Sequence, residues 1–110
     1  MQNIVKFQKN LKINFKNKSL LISAFTHKSA NQSINNEKLE FLGDRVIGLV
    51  LSKKLYDLYP KETEGALDKK FASLVNKEAC CNVAWSISLQ NYIITGNKKK
   101  IITKEDKKIL

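Results

Sequence analysis

Proline, arginine and histidine each occur once in these 110 residues, as Pro60, Arg45 and His27. A single proline leaves little to interrupt helices, and the pattern reads as helical almost throughout. One histidine and two adjacent cysteines, Cys80 and Cys81, contain no CxxC pair, which excludes a zinc finger. Both cysteines are expected to be reduced, buried thiols in a helix. No apolar run reaches the length of a membrane span, so no membrane partner is expected. The opening stretch MQNIVKFQKNLKINF is basic, polar throughout and without a small-residue cleavage site. It does not read as a secretory signal, and the expected location is cytoplasmic.

Lysine is what the chain has in excess. Lys and Arg number 20 against 10 Asp and Glu, a net charge of +10. A domain this basic attracts polyanions, of which nucleic acid is the commonest. With Arg45 the only arginine, the positive charge suits phosphate-backbone contact better than bidentate reading of base edges. A lysine- and asparagine-rich composition can equally reflect the bias of a genome. Hydrophobic content of 43% in 110 residues fits one folded domain with a modest core.

Apolar spacing predicts a first short helix near Ile4 to Leu11, with Ile4, Val5, Phe7 and Leu11 on its apolar side. Asn17 or Ser19 can cap a second helix carrying Leu20, Leu21, Ala24 and Phe25. Lys28 to Asn35 is a polar loop, after which Asn35 or Asn36 caps a long helix running to about Tyr59, before Pro60. KETEG is a loop or helix start, and Leu67, Phe71, Leu74 and Val75 follow helical spacing. Asn76 can cap the next helix, which carries Ala79, Cys80, Val83, Ala84 and Ile87. Tyr92 to Thr95 is β-prone but reads as an ordered connector rather than a strand. Gly96 to Lys100 is an exposed basic turn, and Thr103 can cap a helix over Lys104 to Leu110.

The long helix carries a conflict. Glu37, Glu40 and Asp44 are spaced i, i+3 and i+7, within an arc of roughly 60°. Leu39, Phe41, Leu42, Val46, Ile47, Leu49, Val50 and Leu51 take nearly every other direction, so the helix is expected to be packed on most sides. Carboxylates in such a setting are costly to desolvate unless something compensates them. A hard divalent ion such as Mg²⁺, taking oxygen ligands from one or two carboxylates, would do so. The same spacing also suits a solvated face, and Glu37 and Glu40 favour a helix N-terminus. Gly43 and Gly48, both unfavourable in a helix by roughly 1 kcal/mol, point to close approach of another backbone or a ligand.

At Asn36 to Asp44, NEKLEFLGD, the sequence closely resembles the signature of the ribonuclease III family. Ala24 to Ser29 (AFTHKS) resembles the segment before that signature, and Glu64-Gly65 resembles the EG-containing region after the long helix. Lys107 to Leu110 (KKIL) is similar to the lead-in to a second acidic motif. The resemblance implies an all-α fold, a helical bundle around the long signature helix. It implies an endonuclease that hydrolyses double-stranded RNA with Mg²⁺, or Mn²⁺, in ribosomal precursor and messenger RNA processing. Glu40 and Asp44 become the metal carboxylates, Asp44 also orienting the attacking water, with Glu37 and Glu64 as supporting acids. Phe41 takes a position that packs across a homodimer interface, which would let paired sites cut both strands. His27 is expected to orient a turn rather than act as a base, and Lys98 to Lys100 could touch RNA.

The Asp and Glu of the second acidic motif would follow Leu110 and are not among these residues, nor is a double-stranded RNA-binding domain. Residues 1–110 are therefore expected to be an endonuclease domain incomplete at its C-terminus, with half its metal ligands and little or no activity. The alternative is a non-catalytic, ribonuclease III-like RNA-binding or ribosome-associated module.

Overall fold

Asparagine side chains set most of the helix starts. In the computed structural model, which describes residues 2–96, α1 spans Gln2–Leu11, α2 Lys18–Phe25, α3 Glu37–Leu58, α4 Glu64–Val75 and α5 Lys77–Ser86. A single 3-10 turn follows at Leu89–Asn91. Asn17 Oδ1 accepts from the Leu20 N–H at 3.0 Å, capping α2. At α3, Asn36 occupies the cap position without a side-chain bond, and Asn35 Oδ1 accepts from the Glu37 N–H at 3.1 Å instead. Thr63 caps α4 through the Ala66 N–H. The expected basic turn at Lys98 to Lys100 and the helix over Lys104 to Leu110 lie outside the described residues.

Asn76 serves two helices at once. Its Oδ1 accepts from the Ala79 N–H at 2.8 Å, capping α5. Its Nδ2 donates to the Ala72 and Ser73 carbonyls at 3.1 and 3.2 Å, closing α4. α1 ends differently: Lys12 sits at φ 58°, with Ile13 N–H bonded to Gln8 O and Lys12 N–H to Lys9 O, a Schellman end with lysine where glycine is usual.

The main core is aromatic and lies between α1, α2 and the segment after α5. Ile4, Phe7, Leu21, Phe25 and Tyr92 are buried together. Phe7 meets Phe25 edge-on at 4.8 Å and Tyr92 at 5.1 Å between ring centroids. Burial of each ring contributes about 1.5–3 kcal/mol, with about 0.5–1.5 more per well-oriented ring pair. Tyr92 also accepts from Asn10 Nδ2 through its hydroxyl, at 3.2 Å.

Tyr92 to Thr95 form an ordered connector, as expected, but with one parallel bridge between Thr26 and Ile94. Ile94 N–H donates to Phe25 O at 2.9 Å and His27 N–H to Ile94 O at 2.8 Å. Asn36 N–H donates to Thr26 O at 2.9 Å, and Gly96 N–H to Ser29 Oγ at 3.0 Å. His27 does orient this turn: its Nδ1 accepts from the Ser29 N–H at 3.2 Å and lies 2.8 Å from Ser29 Oγ.

Several expectations are overturned, and Val5, expected on the apolar side of α1, is 64% exposed. α3 is not packed on most sides: Leu55 is its only fully buried residue, and Phe41, Leu42, Val46, Leu49 and Val50 are each more than half exposed. Among the described residues α4 covers one flank of α3, where a Cβ at Gly48 would meet Phe71 Cζ at 3.6 Å. Gly43 has no such neighbour within 4 Å. Nor are both thiols buried: Cys81 is, but Cys80 is exposed, because adjacent helical positions point about 100° apart. The radius of gyration, 15.9 Å, exceeds the roughly 13 Å of a compact 100-residue domain, in keeping with extents of 49 × 30 × 25 Å.

Asn76→Ala should destabilise the chain by about 1–2 kcal/mol in urea unfolding, with Asn76→Asp, which keeps the cap acceptor, intermediate. Equal losses for the two variants would mean that the cap acceptor contributes nothing, and no loss in Asn76→Asp would mean the same of the donors to α4. A Cβ at position 96 would collide with the Ser29 carbonyl. Gly96→Ala should therefore lower the thermal midpoint and speed hydrogen exchange at the His27 and Ile94 amides, whereas unchanged exchange would rule out the clash.

Candidate metal centre

Asn35 and the Thr26 carbonyl determine where α3 begins, and with that the direction in which its carboxylates project. Glu40 and Asp44 are one turn apart, so their side chains share a face in the first two turns of α3. Glu37 lies on the same stripe and pairs with Lys28 at 3.7 Å. The Glu37 and Asp44 side chains are 60% and 70% exposed. The stripe is therefore a hydrated one, and the desolvation expected for these acids is absent.

Glu64 stands apart from them. It opens α4 beyond the far end of α3, whose axis from Asp44 to Leu58 is about 21 Å long at 1.5 Å per residue. The contact of Gly48 with Phe71 shows that α4 runs back along α3, keeping Glu64 toward the Leu58 end. Among the described residues, no three or more His, Cys, Asp or Glu side chains converge on a metal position. What the stripe offers is two hard carboxylates one turn apart, open to water. That donor chemistry fits Mg²⁺ or Mn²⁺, which accept one or two carboxylates and keep several waters.

Arg45 is a site feature that helical periodicity alone did not bring out. Its guanidinium lies 4.0 Å from the centroid of the Phe41 ring, donates to Phe41 O at 3.3 Å and reaches Asp44 Oδ2 at 3.4 Å. The sequence signal was the i, i+4 spacing of Phe41 and Arg45, which stacks the two along a helix. The only arginine thus ties the exposed aromatic to the neighbouring carboxylate. Phe41 itself is 63% exposed and heads an apolar flank beside the acids.

The described residues include no helix long and apolar enough to cross a membrane. Residues 17–110 match the family model described as Ribonuclease-III-like. The chain is 54% identical over 106 residues to Ribonuclease 3 of Pelagibacter ubique, covering 96% of this chain and 48% of that protein. It is 45% identical over 100 residues to Ribonuclease 3 of Wolinella succinogenes, covering 91% and 42%. The chain thus spans about half the length of the curated relatives it matches. The crystal structure of the nuclease domain of ribonuclease III from Campylobacter jejuni superposes with TM-score 0.80 and 40% identity, over 99% of this chain and 79% of that one. A second structure of that domain, described for flexibility in a region involved in dimer formation, superposes with TM-score 0.78 and 44% identity, over 82% and 63%. An all-helical chain that carries NEKLEFLGD at the start of its longest helix and superposes on these nuclease domains belongs to the ribonuclease III family.

Proposed function

We propose that this chain is the nuclease-domain part of an endoribonuclease that hydrolyses phosphodiester bonds of double-stranded RNA with divalent metal ions. The observation that carries the reading is the pair Glu40 and Asp44, one turn apart on an open face of α3. Processing of ribosomal precursor and messenger RNA in the cytoplasm is the setting that the family membership supports.

Glu40 and Asp44 are the proposed metal carboxylates. Mg²⁺ or Mn²⁺ held there supplies charge neutralisation at the phosphate and a more acidic water. Asp44 accepts a hydrogen bond from the attacking water and so aims its lone pair at phosphorus. Arg45, held beside it, keeps a positive charge within reach of the same carboxylate. Glu37 and Glu64 are supporting acids, the first on the stripe and the second at the positive end of α4. Two open carboxylates are by themselves a weak ligand set for such an ion.

The exposed apolar flank headed by Phe41 supports a homodimer, because an uncovered run of large side chains is a costly surface to leave in water. Two-fold pairing would bring two such stripes to the two strands of a duplex. A second reading, a non-catalytic ribonuclease III-like RNA-binding or ribosome-associated module, is supported by the net charge of +10, which serves RNA contact without catalysis.

Titration with Mn²⁺ should broaden the NMR signals of Glu40 and Asp44 first, and the effect should disappear in Asp44→Asn. Any Mg²⁺-dependent nicking of a long RNA duplex should vanish in the same variant. Duplex binding of equal strength in both proteins, with no localised Mn²⁺ effect, would instead establish the non-catalytic module. Phe41→Ala should weaken self-association at least about tenfold in sedimentation experiments, equivalent to about 1.4 kcal/mol. An unchanged dimer would remove Phe41 from the interface.

A further inference from the structure

The positive charge of this chain is segregated. Residues 1–36 contain six lysines and no aspartate or glutamate, although about three acids would be expected there at the chain-wide frequency. Residues 37–96, which carry the carboxylate stripe, hold eight cations and eight acids and are neutral. A genome-wide preference for lysine would enrich the whole chain without removing acids from one third of it.

The fold turns this segregation into a surface. On α1, Ile4, Phe7 and Leu11 point into the core, whereas Lys6 and Lys9 lie about 60° apart on the opposite side. Lys12 and Lys16 continue the exposed positive charge through the turn into α2. The three ion pairs among the described residues are Lys28–Glu37, Arg45–Asp44 and Lys53–Asp57, so none of these four lysines is neutralised there. Lys18 differs, because Gln8, Asn14 and the Phe15 carbonyl hold its ammonium inside the turn.

We propose that Lys6, Lys9, Lys12 and Lys16 form a second contact surface for the phosphate backbone of duplex RNA, separate from the carboxylate stripe. The proposal rests on the duplex-RNA reading above and extends it to a surface outside the stripe. The chemistry favours nucleic acid over an acidic protein. Protein docking sites are anchored by packed aromatic and apolar groups. Here Phe7 is buried, Phe15 is half-buried, and the exposed large apolar residues up to the first turn of α2 are Val5, Ile13 and Leu20, each isolated in the sequence. Lysine point charges without arginine forks are sufficient for phosphate contact, which needs no base reading. The stripe on α3 repels phosphate, so attraction has to come from elsewhere. The Lys28–Glu37 pair and the Asn36-to-Thr26 hydrogen bond join the basic segment directly to the start of α3.

The test is fluorescence anisotropy of the chain with a labelled RNA duplex in EDTA, across a salt series. The Lys6→Gln/Lys9→Gln/Lys12→Gln/Lys16→Gln variant should bind roughly tenfold to a hundredfold more weakly, with the salt slope reduced by about 2–4. A control with Lys54→Gln, Lys61→Gln, Lys69→Gln and Lys77→Gln has the same net charge and should change both far less. If the quadruple N-terminal variant loses its circular dichroism, Lys6→Gln/Lys16→Gln should give about half the slope change. Equal losses in the two quadruple variants would reduce the effect to net charge and overturn the proposal. So would unchanged duplex binding, or loss of polyglutamate binding with duplex binding intact, which would mark an acidic-protein dock. A parent chain that binds no duplex would overturn the duplex reading as well.

Discussion

Four hydrogen bonds around Thr26 hold the described chain together. They join the end of α2, the loop before α3 and the segment at Ile94 to Gly96. Each is a modest net contribution of about 0.5–1.5 kcal/mol, but together they satisfy backbone groups of a loop that would otherwise be free to wander. Tyr92 is carried into the aromatic core by the same segment, and α3 starts where Asn36 is tied to Thr26. The direction of the carboxylate stripe is thus set outside α3 itself.

α3 combines two surfaces that water treats in opposite ways. Its acids are content in solvent, while Phe41, Leu42, Val46, Leu49 and Val50 are not. Arg45 softens the boundary by lying over the Phe41 ring while reaching Asp44. The apolar flank is the costly half of this helix, because large side chains are left in water there. The proposed homodimer would cover that flank with a second copy of the chain.

Charge follows the same division of labour. The neutral middle of the chain holds the candidate chemistry, and the acid-free first third holds the attraction for a polyanion. Placing attraction and carboxylates on different elements avoids neutralising the stripe with neighbouring lysines. Among the described residues Lys28 alone pairs across to the stripe, while Arg45 pairs with Asp44 from within α3; both are exposed pairs of little energetic weight.

Local physics was legible directly in the residues. Helix starts at Asn17 and Asn76 follow from short polar side chains meeting free N–H groups, and 3.6-residue periodicity aligned Glu37, Glu40 and Asp44. The NEKLEFLGD run was sufficient to indicate the family. Tertiary structure alone decided which apolar positions are covered, because periodicity reports that a helix is apolar on several sides but not what lies against each side. It also separated Glu64 from the stripe, exposed Cys80, paired Ile94 with Thr26 and laid Arg45 between Phe41 and Asp44. Those outcomes depend on contacts between residues far apart in the chain, and no local pattern of side chains carries that information.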